Sequence, residues 1–221
     1  MNVENKLIVI EGLDGVGKTT QLELLKKHYP KFRFITFPNY DSPSGQIVSS
    51  YLNGEYNEKN PFVSAYTASC FYAVDRYTSF KTDWEKDYMS GKPIISARYI
   101  SSNAIYQMTK LPCDEWEDYM NWLLDTEYNK FGIPKPCATI FLDMPTEVSR
   151  QLLLKRNNGD AEKLDVHEGN LQFMSDCRKA AVYVAEKENW DIISCAENGF
   201  PKPINDIHKT LVKKIEELLK Q

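Results

Sequence analysis

The sequence predicts an α/β fold, a five-stranded parallel sheet surrounded by helices. Three observations predict it. Short, β-branched apolar runs recur along the chain, a helical stretch separates each run from the next, and no repeat, linker or low-complexity segment interrupts them. Runs that are apolar throughout belong to strands buried on both faces, and alternation with helices calls for parallel pairing through right-handed crossovers. At 221 residues, one domain spanning 1–221 is expected.

Taken in order, 6–11 (KLIVIE) is the first strand, and 21–27 is an amphipathic helix behind a glycine-rich turn. The second strand, 32–37, is closed by Pro38; the helix 44–52 ends near Asn53-Gly54. From Pro61 to about Ser90 the spacing predicts an aromatic-rich helix with Gly91 as its stop. The third strand is 93–97 (PIISA), followed by helices at 101–110 and 114–130 parted by Pro112. The fourth strand is 138–143 (ATIFLD), with a helix at 146–155 and a polar interruption at 157–163. A long helix over 165–189, a fifth strand at 190–195 and a closing helix at 205–219 complete the chain.

Composition excludes several classes. A hydrophobic share of 42% and a charged share of 26% are those of an ordinary soluble globule. A net charge of −4 offers no basic tract for nucleic acid and no polybasic anchor, and no apolar run reaches membrane-spanning length. Neither nucleic acid nor membrane is expected as a partner. The first strand begins too early to leave room for a signal peptide, so a cytoplasmic location is expected. Cys70, Cys113, Cys137, Cys177 and Cys195 are odd in number, without a CxxC pair. Mostly buried, reduced thiols are expected rather than a disulfide framework or a metal cluster.

The strongest chemical signal is Gly12-Leu13-Asp14-Gly15-Val16-Gly17-Lys18-Thr19, which satisfies G-x-x-x-x-G-K-[ST] between a buried strand and a helix. The glycines let backbone amides curl around a β-phosphate, and the helix N-terminus adds its positive end. Lys18 places a charge on the β/γ oxygens, and the Thr19 hydroxyl ligates Mg²⁺. The sheet is therefore expected to be of the P-loop nucleotide-kinase type, with ATP at 12–20, Thr20 included. The motif alone does not choose among GTPases, ATPases and kinases. A guanine-reading N-K-x-D is absent from the sequence, and the short chain leaves a small kinase.

The run Glu11–Gln21 resembles the phosphate loop of thymidylate kinases, with Asp14 and Gln21 at typical positions. Four further segments match that family in order: Phe37-Pro38-Asn39-Tyr40, Tyr72-Ala73-Val74-Asp75-Arg76, Arg98 through Gln107 (RYISSNAIYQ), and Asp165-Val166-His167-Glu168. The resemblance implies ATP and dTMP as ligands, Mg²⁺ as cofactor and a homodimer. It implies a set of roles residue by residue. Tyr72 stacks on thymine, Arg76 bonds the base carbonyl, Asn103 reads the N3 edge, and Tyr106 closes the space beside the sugar C2′. Arg98 grips the acceptor phosphate with Tyr40, supported by Phe37. Asp14 and Asp165 lie near the 3′-hydroxyl and the metal. Lys18, Arg98 and Asp14 are the implied catalytic residues. The segment 156–164 resembles the family's lid, which implies Arg156 against adenine. Some members carry Arg where this chain has Gly15; members without it supply a cation from the lid, making Lys163 the candidate.

Each role has a bland competitor. Tyr72 and Tyr106 are helical aromatics, commonly core residues. Arg76 follows Asp75 and could belong to a surface ion pair, and Asn103 could cap its helix. Trp84, Trp116, Trp122 and Trp190 are assigned to core; His28, His167 and His208 receive no catalytic role. One departure bears on mechanism: Ala97 stands where the family carries Asp before the phosphate-gripping Arg. The expected reaction is γ-phosphoryl transfer from ATP to dTMP. The alternatives are a kinase of another deoxynucleotide or deoxynucleoside, or a weakly active nucleotide-binding relative.

Overall fold

The computed structural model describes residues 6–56, 63–156 and 170–220. β1 (Leu7–Gly12) lies at the centre of a five-stranded sheet in the order β2 (Arg33–Thr36), β3 (Ile94–Ala97), β1, β4 (Ala138–Asp143), β5 (Asp191–Ser194). Every pairing in it is parallel. The reason for the apolar run in β1 is visible in its two faces. Leu7 and Val9 enter one core with Ile94, Trp84 and Tyr119; Ile8 and Ile10 enter the other with Ile95, Ile140 and Leu211. A strand with period-2 side chains and a core on each side must be apolar at every position.

α1 (Lys18–His28) leaves the end of β1 directly and packs against α9 (Ile204–Leu218). α2 (Pro43–Leu52) starts at Ser42, whose side chain accepts from the Gly45 amide, and packs on α3 (Ala65–Ser79). The helix expected over 61–90 is not one helix. Among described residues it runs as α3, a π-helical turn (Phe80–Trp84) and α4 (Glu85–Met89). The π-turn carries Phe80 and Trp84, whose rings meet edge to face at 4.6 Å in the core beneath it. α5 (Ile100–Tyr106) is shorter than expected and passes into a 3₁₀ turn at Met108–Lys110. α6 (Trp116–Leu124) ends in a second π-turn, Asp125–Lys130.

α7 (Thr146–Arg156) follows β4, and α8 (Leu171–Lys187) precedes β5. The rest of the helix expected over 165–189 lies in part outside the described residues, as does most of the expected lid at 156–164. A two-stranded antiparallel hairpin, β6 (Ala196–Glu197) and β7 (Phe200–Pro201), follows β5 and was not expected. Its signal is Asn198-Gly199, both at positive φ, which suits a tight hairpin turn. The cysteine expectation also needs correction: all five are free, but Cys70, Cys113 and Cys137 are exposed and only Cys177 and Cys195 are buried. Cys70 lies on an exposed face of α3.

Candidate active site

The C-terminal ends of β1, β3 and β4 open into a cleft of about 930 Å³ lined by residues 13–19, Ala97, Arg98, Arg156 and Lys202. Its floor is the turn between β1 and α1. A Cβ on Gly12 would stand 2.8 Å from Val16 and 3.1 Å from the Leu142 carbonyl, so the loop can close only with glycine there. Gly17 caps α1 at φ 85°, a left-handed conformation that glycine adopts without strain. Leu13, Val16 and Gly12 are buried, while Gly17, Thr19 and Thr20 are exposed at the mouth of α1. At Gly15 a side chain would meet Leu153 at 2.7 Å and the Ser149 carbonyl at 2.8 Å. The packing of α7 therefore excludes an Arg at this place in the loop.

Lys18 folds back on its own loop, donating to the Gly12 carbonyl at 2.6 Å. Burial and the nearby Arg98 guanidinium pull its pKa down to about 8, against the opposing pull of Asp14 and Glu11. A lysine held so near neutrality carries a charge that an arriving polyphosphate would stabilise.

Between the two ends of the site stand Asp14, Arg98 and Tyr106. Arg98 donates to Asp14 at 2.5 Å and lies over the Tyr106 ring at 5.1 Å, and the Tyr106 hydroxyl donates to Asp14 at 3.3 Å. Arg98 has φ 63°, a conformation that costs a non-glycine residue on the order of 1–3 kcal/mol. Two bonds fix it: its amide donates to the Ile10 carbonyl at 3.2 Å, and its carbonyl accepts from Ser96 at 2.6 Å. Ala97 ends β3 beside it, 6% exposed and paired in register with Ile10. It lines the same cleft as Lys18 and Arg98.

On the far side of α5, outside the residues that line the cleft, lies a buried polar network. Arg76, 1% exposed on α3, makes a two-pronged ion pair with Glu127 on the second π-turn, Nε to Oε2 and Nη2 to Oε1, both at 2.6 Å. Burial acts to neutralise the guanidinium, and the Glu127 carboxylate outweighs it, holding Arg76 above its ordinary value. Asn103 Nδ2 donates to the Ser69 carbonyl at 3.2 Å and to Glu127 at 3.4 Å. Ser69 and Tyr119 share a 2.6 Å bond beneath them. Neither bland reading survives: Arg76 is not in a surface pair with Asp75, and Asn103 does not cap α5, whose N-cap is Tyr99.

Asp75 faces the opposite way. Its carboxylate accepts from the Asn39 amide at 2.8 Å and from the Ser42 and Ser44 hydroxyls at 3.1 and 2.9 Å, anchoring the 37–44 turn. Gly45 lets that turn approach, since a Cβ there would stand 1.8 Å from the Asn39 carbonyl. The turn buries Phe37 against Tyr99 and leaves Tyr40 half-exposed above the site. Tyr72 stands edge-on to Tyr51 at 6.2 Å, one turn of α3 before Arg76.

Of the residues singled out in the sequence, the structure gathers Asp14, Lys18, Arg98 and Tyr106 at the loop. It gathers Arg76 and Asn103 in the buried network. Asp165 and Lys163 lie outside the described residues, as does His167. The tryptophans are core or pack on it, with Trp84 fully buried, and His28 and His208 meet at 5.9 Å between α1 and α9, away from the cleft. Sequence reasoning missed three carboxylates. Glu11, fully buried, accepts from the Ser101 and Ser102 hydroxyls at 2.7 Å and from the Tyr99 amide at 3.3 Å, giving α5 the cap its own sequence lacks. Asp75 was read only as a partner for Arg76. Glu127 had a visible signal. It follows Trp116, Tyr119, Met120 and Leu123 at helical spacing, so it continues their buried stripe, where a carboxylate needs a cation.

The thymidylate kinase family model matches residues 10–210. A probable thymidylate kinase of Pyrobaculum aerophilum is 27% identical over 208 residues, covering 94% of this chain and 96% of that one. A thymidylate kinase of Mycobacterium tuberculosis is 29% identical over 163 residues, covering 71% of this chain and 72% of that one. Among solved structures, thymidylate kinase from Candida albicans superposes with a TM-score of 0.71 at 24% identity, over 96% of this chain and 92% of that one, a likeness of fold.

Proposed function

We propose the following function for this chain, which belongs to the thymidylate kinase family: it transfers the γ-phosphoryl group of ATP to dTMP, giving ADP and dTDP. The observation that carries the reading is that α5 ties the phosphate loop, through Tyr106 to Asp14, to the buried Arg76–Asn103 pair, through Glu127. ATP lies along 12–20, with Arg156 against its base. The acceptor base lies on Arg76 and Asn103 with Tyr72 stacked on it, and its phosphate meets Arg98 and Tyr40, with Phe37 packed behind. Tyr106 bounds the sugar, and Asp165 joins Asp14 near the 3′-hydroxyl.

No covalent intermediate is needed. Lys18 neutralises charge on the moving phosphoryl from the donor side, and Arg98 does so from the acceptor side. Arg98 is held by Asp14 and lies over Tyr106, which fixes the direction its guanidinium faces. Among the described residues no three His, Cys, Asp or Glu side chains gather as a metal-binding group. The donor set nonetheless fits Mg²⁺, which keeps water and phosphate ligands and asks the protein for one or two oxygens. Thr19 would supply one, and Asp14 lines the same cleft, whereas both Glu11 oxygens are already engaged. Held by Thr19, with Asp14 in the same cleft, Mg²⁺ would supply charge neutralisation for the transferring phosphoryl group.

The proposal includes a homodimer. Ile47 and Leu52 on α2 and Val74 and Tyr77 on α3 are exposed apolar side chains on two helices that pack together, and light scattering tests for the pair. No helix among the described residues is long and apolar enough to cross a membrane; the proposed location is the cytoplasm. A coupled assay offering dTMP, dUMP, dCMP, dGMP and thymidine with ATP tests the reaction. Preference for dTMP supports it, and turnover of thymidine without turnover of dTMP would sink it.

A further inference from the structure

We propose that Glu127 is a positioning residue that selects the acceptor base, by fixing which hydrogen-bonding groups Arg76 and Asn103 present. The inference rests on the dTMP reading above. Glu127 is sealed from solvent, and its two oxygens take three donors: Arg76 Nε, Arg76 Nη2 and Asn103 Nδ2. A carboxylate held by an arginine can only accept, and so can the Ser69 carbonyl. Both neighbours of the Asn103 amide therefore demand its NH₂ end. Its two donors are consumed there, and Oδ1 is the group left for a ligand, an acceptor.

Arg76 is oriented by the same carboxylate. Its Nε and one Nη2 hydrogen point at Glu127, and Nη1 reaches the Tyr99 carbonyl at 3.3 Å. Of its five N–H groups, the two that remain are donors. The floor thus presents one acceptor and donors beside it. Thymine's N3–H and O4 match that order. Cytosine offers an acceptor at N3 and a donor at N4, so it opposes both groups, and buried mismatches of this kind are costly. Uracil has the thymine edge, so the same floor accepts it; Glu127 has no part in distinguishing the 5-methyl group.

The experiment compares kcat/KM for dTMP, dCMP and dUMP in the intact protein and three variants. Glu127→Gln gives Asn103 a neighbour that can donate, which leaves the Ser69 carbonyl as the one group that demands the NH₂ end and weakens the preference for that orientation. The dTMP-to-dCMP ratio is expected to fall at least about tenfold, while the dTMP-to-dUMP ratio stays as it was. Glu127→Asp keeps an acceptor-only group and is expected to preserve the dTMP-to-dCMP ratio while raising KM for dTMP. Should Glu127→Gln not fold, Arg76→Gln/Glu127→Gln removes both buried charges and is expected to lose the preference for dTMP over dCMP. An unchanged dTMP-to-dCMP ratio in the folded Gln variant, or in the double variant in its place, overturns the role of Glu127. So does a loss in which dTMP and dCMP turnover fall in equal proportion. An unmutated protein that prefers dCMP overturns instead the dTMP reading on which this inference rests.

Discussion

The two ends of the site are built in opposite ways. The loop end is one contiguous stretch, 12–20, whose shape comes from glycine backbone and the start of α1. The floor is assembled from α3, α5 and the π-turn after α6, so Arg76 meets a carboxylate 51 residues away in sequence. At the loop the working side chains line the cleft, and Arg98, Asp14 and Tyr106 hold one another there at its part-buried wall. In the floor each group is the other's reason for being tolerated in the core. A residue of the first kind can be lost with little harm to folding; one of the second kind cannot.

The sharpest way to break that contrast is Glu127→Ala. It strands the Arg76 guanidinium in the core, a change expected to cost about 3–5 kcal/mol. For a chain of 221 residues that is a fall in Tm of roughly 6–20 °C. Calorimetry showing a shift near zero would mean that the pair is not a structural unit. Lys18→Ala should do the reverse. Loss of a charge that acts on the transferring group is expected to lower kcat by about 10²–10³-fold. The Tm should hold, because in the empty protein Lys18 bonds only a loop carbonyl and is penalised by burial. Near-normal turnover of this variant would sink the assignment of the loop.

The same contrast explains what the sequence reveals. β1, α1 and the loop between them were legible because one local run dictates strand, turn and helix together. The five-strand count and the parallel pairing followed from apolar runs separated by helices, and strand β1 shows why: both its faces are core. The π-turns were not legible, since an extra residue within a helical turn has no residue-type signature of its own. The hairpin at Asn198-Gly199 carried a readable signal that short flanking strands obscured. In the floor, Arg76 and Asn103 were named by resemblance, whereas their burial and their shared carboxylate depend on where α6 lands against α3. Long-range pairing of that sort has no local signature.

Ala97 sits between the two ends and sharpens the comparison at intermediate scale. It lines the cleft with Lys18 and Arg98 and carries no charge where the resemblance implies Asp. Loss of a group that orients metal-bound water or a phosphate-binding side chain commonly costs about 10–100-fold. Ala97→Asp is therefore expected to raise kcat by about that factor, a barrier change of about 1.4–2.7 kcal/mol. The Kd for ATP should move less, since the loop amides are untouched. Steady-state kinetics across a Mg²⁺ titration decide the matter. An unchanged or lower kcat at every Mg²⁺ concentration would mean that the site works without that carboxylate, and that Asp14 suffices.

The smallest expected effect lies in the Lys18 titration, and it tests whether the loop end is set by charge. The ordinary lysine pKa near 10.5 falls here to about 8, so the empty protein holds Lys18 charged below pH 8 and neutral above it. A bound polyphosphate favours the charged form and raises that pKa again. The sign follows: ATP affinity should be flat below pH 8, then weaken by up to about tenfold per pH unit as the proton that binding requires becomes scarce. Calorimetry at pH 8.5 in buffers of different ionisation enthalpy should register proton uptake on binding. The stability of the empty protein should change in the opposite sense, rising from pH 8 toward 10.5, because the unfolded chain holds the Lys18 proton more tightly there. Ala97→Asp would add a carboxylate beside Lys18 and move the affinity limb to higher pH. An ATP Kd constant from pH 7 to 10, with no proton uptake, would show that backbone amides alone bind the donor and that the charge of Lys18 acts only in the transfer step.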